Sequence, residues 1–266
     1  MHESELTLPM QRGLHSIGVV EGISNRVKVE LLRPKLAIVA EHIAAGELCI
    51  LPGKGPYGIF FDGRNLKAVE KVREAKGRRP EQREAVFVPP NRLFDLMDFG
   101  RLEQINPDID RKIIEGLYQA NPAGLIVPCI KEKTPRHLIT HHNIEGEQVP
   151  TILNVWISRY RILSILWKKL AKYPEVLLSG TSANLTGSET SLSCATARSS
   201  FGEIIAAAIQ DPREAEWAYL FPDSTPILDL TKNPPQVVRK ASADPVKYPG
   251  RLKTFSDILP ELMWDI

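Results

Sequence analysis

The sequence predicts an α/β fold in which helices cover a twisted, mixed or parallel-rich central sheet, and three observations carry the prediction. Short apolar runs alternate along the chain with segments whose apolar residues recur at helical spacing. One of these runs, ending at Leu178, passes directly into a dense group of hydroxyl, amide and glycine residues, as happens where a strand of an open α/β sheet meets a ligand. A chain of 266 residues with 43% hydrophobic content can also bury a sizeable core. No stretch reaches the roughly 20 apolar residues of a membrane helix.

Each element has its own reason. Pro34 suits the first turn of a helix in which Leu36, Val39 and Ile43 share a face, and Gly46 can end it. Leu48 to Leu51 is a short apolar strand. Asn65 is an N-cap for a helix presenting Leu66, Val69 and Val72, which delivers Lys76 and Arg78 at its C-terminal end. Ala85 to Val88 reads as a strand, Asp108 to Tyr118 as a helix and Leu125 to Ile130 as a strand. Arg159 to Leu170 is helical through Ile162, Leu163, Ile165 and Leu166, and leads into a strand over Val176 to Leu178. Residues 33–240 read as one domain with terminal extensions at 1–32 and 241–266. In the second extension Leu252, Phe255, Ile258, Leu259 and Leu262 suit a packing or dimer-contact helix.

The stretch Thr181-Ser182-Ala183-Asn184-Leu185-Thr186-Gly187 resembles the TSAN-x-SG signature of YrdC-like proteins, the threonylcarbamoyl-adenylate synthases of tRNA modification. Lys76-Gly77-Arg78 looks like that family's K-x-R pair. Asn121 to Pro128 is similar to its PGP-then-strand segment, Ser224 to Leu230 to its ST-V-V-D-L strand, and Val237-Val238-Arg239 to its closing L-R. The blocks stand in family order across residues 35 to 240. The resemblance implies a YrdC-like fold and ATP as a substrate, with Mg2+ as its companion ion. It also implies the family's reaction: threonine and bicarbonate form an N-carboxylated intermediate that attacks the α-phosphate and expels pyrophosphate. Such chemistry needs positioning and cationic stabilisation of phosphate oxygens more than a protein nucleophile. Lys76, Arg78, Ser182 and Asn184 are the candidate catalytic set, the two cations on phosphate or carboxylate and the other two as hydrogen-bonding partners. Spaced two apart, Lys76 and Arg78 would point the same way from an extended segment. Thr181 joins them as a substrate contact, and Ser224 and Arg239 are carried over as nucleotide contacts.

The chain departs from the family where the amino acid is selected. The synthases carry P-T-D/E-T-x-Y/F-G-L after the first strand; here Pro52 is followed by Gly53, Lys54, Gly55, Pro56, Tyr57 and Gly58. Two hydroxyl groups are missing, and a buried polar group left without its partner costs about 1–3 kcal/mol. Gly53, Lys54, Gly55 and Tyr57 are the residues expected at the substrate. The family's V-R-V appears as Val155-Trp156-Ile157, so an indole stands where a substrate-facing cation is usual. Trp156 either packs in the core or favours a bulkier, less acidic substrate. The Gly-Lys-Gly also resembles G-x-G-G-F/Y in YrdC-like domains that make carbamoyl adenylate from carbamoyl phosphate and ATP. Glycines there let backbone approach phosphate, although Thr181 to Asn184 differs from the TSGN of those domains.

His137 and His141 are four apart, a spacing that puts two metal ligands on one helix face, and Thr134-Pro135 could start a short helix. With no acidic or Cys third ligand at a telling distance, residues 131–150 read as a polar, lid-like insertion and no metal site is assigned. Cys49, Cys129 and Cys194 are odd in number and far apart, reading as buried small side chains. The N-terminus lacks the order of a secretory signal, so a cytoplasmic protein is expected. Net charge is only +2, so binding to structured RNA would need a local basic surface. Three functions stay open: an acyl- or carbamoyl-adenylate synthase, a YrdC-fold enzyme turned to another small-molecule biosynthetic reaction, and a noncatalytic RNA-binding module. A homodimer or partner subunit is compatible with each.

Overall fold

Continuous apolar runs in this chain become strands covered on both faces, and the covering helices show how. The computed structural model describes residues 24–79, 81–120, 123–222 and 224–239. Asn25–Glu30 (α1) and Arg33–Ala44 (α2) lead into Leu48–Pro52 (β1), which is buried at every position, and Tyr57–Asp62 (β2) returns beside it. Leu66–Lys76 (α3) follows, capped by Asn65, whose side chain accepts from Ala68 N–H at 3.3 Å. Ala85–Val86 (β3) is a brief strand. Pro90–Leu96 (α4), Phe99–Ile105 (α5) and Arg111–Ala120 (α6) come before Ala123–Pro128 (β4), and Thr140–Ile144 (β5) and Glu147–Trp156 (β6) form a hairpin. Arg161–Leu170 (α7), Leu178–Ser182 (β7), Cys194–Phe201 (α8), Ile205–Ala208 (β8), Glu214–Leu220 (α9), Ile227–Asp229 (β9) and Gln236–Arg239 (β10) complete the described chain.

One sheet runs in the order β10-β9-β4-β6-β3-β7-β2-β1-β8, with β5 paired to β6. It is mixed, as expected: β1–β8, β3–β6 and β4–β9 are parallel and the remaining pairs antiparallel. Alternate residues of β1 and β2 serve different layers. Cys49, Leu51 and Phe60 pack with α2 and α7, whereas Leu48, Ile50, Ile59 and Phe61 pack with α3 and α8. A third apolar cluster lies between α4–α6 and β4–β6. Each fully buried Leu, Ile or Phe contributes about 1.5–3 kcal/mol.

The structure corrects the sequence reading in three places. Residues 131–150 do not place His137 and His141 on one helix face. They hold two short 3-10 turns and the β5–β6 hairpin, whose turn residues Glu145 and Gly146 both have positive φ, 52° and 87°. His141 and His142 are thus neighbours on a strand and point to opposite faces. His142 Nδ1 meets Thr231 Oγ1 at 3.2 Å and His137 Nε2 meets the Gly63 carbonyl at 2.6 Å. Second, the strand expected over Val176 to Leu178 instead begins at Leu178 and runs to Ser182, since β7 lies between β2 and β3, and Phe60 and Phe87 pack over the space left by Gly180. Third, α4, α5, α8 and α9 lie where no helix was expected. The extension residues 1–23 and 240–266, with the expected C-terminal helix, and Asn121 and Pro122 lie outside the described residues.

Candidate active site

Lys76 meets Ser182 and Asn184, and Arg78 meets Thr181, through a helix end rather than an extended segment. α3 stops at Lys76 because Gly77 adopts a left-handed φ of 59°. The turn closes with Arg78 N–H donating to the Arg73 carbonyl at 2.9 Å. The Lys76 side chain is drawn inward, 5% exposed. Its ammonium donates to the Ser182 carbonyl, to the Asn184 carbonyl at 2.7 Å and to Ser182 Oγ at 3.4 Å. In return Thr186 N–H donates to the Lys76 carbonyl at 3.2 Å. Arg78 Nη1 donates to Thr181 Oγ1 at 2.7 Å. The segment after β7 is held further by Asn184 Nδ2, which donates to the Leu185 and Ser188 carbonyls at 3.1 and 2.8 Å. Asn184 Oδ1 is buried and accepts nothing.

The same mouth collects the end of the chain. Ser224 Oγ lies 3.2 Å from Thr190 Oγ1, and Arg239 Nε donates to the Thr225 carbonyl at 2.8 Å. Desolvation first, and then the like charge of Arg78, lower the pKa of Arg239. Desolvation also lowers Arg78, against the attraction of Glu84. Lys76 falls to about 7, through burial first and then the Arg78 charge. Crowded, partly desolvated cations of this kind can receive an anion.

The loop between β1 and β2 borders the same strand ends, since Gly58 is paired with Ser182. Gly53 N–H donates to the Pro56 carbonyl at 2.7 Å. Lys54 has a positive φ of 60°, and its ammonium sits 4.7 Å from the Phe221 ring centroid and 5.3 Å from that of Trp217. Desolvation there, with Arg213 nearby, lowers its pKa. Gly55 has φ 121°, and a Cβ on it would meet the Phe221 carbonyl at 2.2 Å. Tyr57 is buried; its hydroxyl accepts from Asp211 N–H at 3.0 Å, and Asp211 in turn accepts from Tyr160 OH. Helix α9, invisible to sequence reasoning, therefore seals this loop. Trp217 within it and Phe221 at its C-cap are four apart, the one signal that could have exposed it.

Trp156 stands apart from this set. It is 9% exposed, belongs to the apolar cluster under α4–α6 and packs edge-to-face on Trp167 at 6.4 Å. A separate cleft of about 550 Å3, lined by Arg64, Val176, Leu177 and Trp167 among others, opens at the far ends of α3 and β7 from Lys76 and Ser182. Among the described residues no three His, Cys, Asp or Glu side chains cluster as a metal site, and no helix is long and apolar enough to cross a membrane.

Comparison with known proteins decides the family. The model Sua5_yciO_yrdC, described as telomere recombination, matches residues 41–241. The chain belongs to the Sua5/YciO/YrdC family. The threonylcarbamoyl-AMP synthase of Pseudoalteromonas translucida (strain TAC 125) is 26% identical over 179 residues, covering 66% of this chain and 86% of that protein. Among solved structures, a double variant of P. abyssi Sua5 superposes with a TM-score of 0.60 at 21% identity, covering 78% of this chain and 56% of its own. P. abyssi Sua5 complexed with L-threonine gives 0.55 at 23% identity, with 78% and 54% covered. The chain thus spans a little over half the length of Sua5, and these likenesses show the Sua5/YciO/YrdC fold.

Proposed function

We propose that the protein is an ATP-dependent enzyme that forms an acyl adenylate of the threonylcarbamoyl type, in the cytoplasm, with residues 33–240 as its working unit. The observation that supports it most is the meeting of Lys76 and Arg78 with the segment Thr181 to Asn184, Lys76 on Ser182 and Asn184 and Arg78 on Thr181. In the reaction a carboxylate oxygen of the acyl substrate attacks the α-phosphorus, the bond from that phosphorus to the bridging oxygen breaks, and pyrophosphate leaves. Arg78 and Arg239, whose charges are felt by one another, would share the charge of the phosphates. Thr181, Ser182 and Ser224 offer hydroxyls, and the buried Asn184 Oδ1 awaits a donor such as an amino group of nucleotide or acyl group. Lys76 spends its donors on two carbonyls and so acts by fixing the strand end, with its charge one layer behind the ligand. Because the donor set is cationic, Mg2+ would enter on the nucleotide phosphates, where it would neutralise charge.

A specific observation favours an acyl group other than threonylcarbamate. P. abyssi Sua5 is complexed with L-threonine, whereas here the loop Gly53 to Gly55 offers no hydroxyl and Lys54 is folded onto Phe221 and Trp217. Trp156 supplies no cation. Pyrophosphate release from ATP, assayed with bicarbonate and a panel of amino acids and separately with carbamoyl phosphate, tests both statements. Release with some acyl partner but least with threonine is expected. No release with any, together with no ATP binding, would remove the adenylate reading.

A further inference from the structure

Glu84, just before β3, is 1% exposed and its carboxylate is wholly shielded from solvent. A lone buried carboxylate is costly, so its partners define what it does. Arg73 grips it with two nitrogens: Nη2 lies 2.6 Å from Oε2, and Nε lies 3.1 and 3.2 Å from the two oxygens. Arg73 is itself fixed, since Nη2 also donates to the His137 carbonyl at 3.0 Å. The remaining face of the carboxylate turns to Arg78, with Oε1 3.6 Å from Nη1. That same Nη1 donates to Thr181 Oγ1.

Arg78 is therefore held at one corner only. Its Nε and Nη2 have no partner among the described residues, and they form the edge that receives an oxyanion in a two-point grip. A guanidinium on a flexible stem loses entropy when it is fixed, so fixing it beforehand favours binding. We propose that Glu84 is a positioning residue for Arg78: anchored by Arg73, it orients the guanidinium so that the Nε–Nη2 edge faces the ligand. The inference rests on Arg78 as the anion-binding residue, and it is argued from this chain's own contacts.

Two readings of one set of variants separate the inference from that foundation. In protein labelled with 15N-arginine, rotation of the Arg78 guanidinium about its Nε–Cζ bond is slow in the native chain and at least about ten-fold faster in Glu84→Gln, since the charge that its Nη1 faces is gone. Pyrophosphate affinity, by calorimetry, falls about ten-fold in Glu84→Gln and in Arg78→Lys, and no further in the double variant, because a lysine has no fork to orient. Unchanged rotation, tighter pyrophosphate binding as simple removal of a negative charge would give, or additive losses would overturn the role of Glu84. If the native chain binds no pyrophosphate, the proposed function falls while the rotation reading still decides Glu84. Should Glu84→Gln fail to fold, the neutral pair Glu84→Gln with Arg73→Gln leaves no unpaired buried charge and is read in the same way.

Discussion

The ammonium of Lys76 and the main-chain carbonyl of Asn184 are joined by a 2.7 Å hydrogen bond, which ties the last residue of α3 to the turn beyond β7. Replacing Lys76 by Met removes the donor to two carbonyls, each costing about 1–3 kcal/mol when left unsatisfied. Amides of residues 183–187 should exchange with solvent at least about ten-fold faster in Lys76→Met. Arg78→Ala should leave that exchange unchanged.

The pH dependence has a definite sign. The pKa of Lys76 is about 7, lowered from 10.5 chiefly by burial. Between those values the unfolded chain holds a proton that the folded one has lost, so stability rises with pH across that window. The rise should be shallower in Lys76→Met, measured as melting temperature against pH. An anion in the site favours the charged amine, so affinity for pyrophosphate should be greatest below about 7 and fall by up to ten-fold per unit above it.

Gly55 is fixed by geometry. With φ 121° and the Phe221 carbonyl only 2.2 Å from an added Cβ, alanine requires α9 to shift. Gly55→Ala should cost about 2 kcal/mol and lower the melting temperature by roughly 4–8 °C. Near-ultraviolet circular dichroism should report the altered surroundings of Trp217.

Restoring the family's cation at Trp156 should not restore threonine use. The indole packs on Trp167 in an apolar cluster. Trp156→Arg should destabilise by about 3–5 kcal/mol, seen in urea unfolding, and should leave threonine-dependent pyrophosphate release no higher than in the native chain.

Much of the fold was legible because its signals are local. The N-cap Asn65, the helical spacing of Leu36, Val39 and Ile43, and the wholly apolar β1 each encode an element within a few residues. β7 was cut short because Ser179, Gly180 and Thr181 look like a turn until Phe60 and Phe87 are seen to need the space over Gly180. The hairpin at 140–156 was hidden by the histidine spacing, although Glu145-Gly146 is a plausible two-residue turn. At the site, four motif residues could be named in advance. Glu84 could not, because a single acid in the run Arg83-Glu84-Ala85 looks like solvated charge, and only the return of Arg73 and Arg78 to it reveals a buried anchor.

Titration of ATP into the native protein and into Arg78→Ala, by calorimetry at pH 6.5, tests the central claim most directly. The account predicts saturable ATP binding by the native chain and at least a ten-fold loss in Arg78→Ala, with the two melting temperatures within about 2 °C. Equal ATP affinity in the two proteins would contradict it.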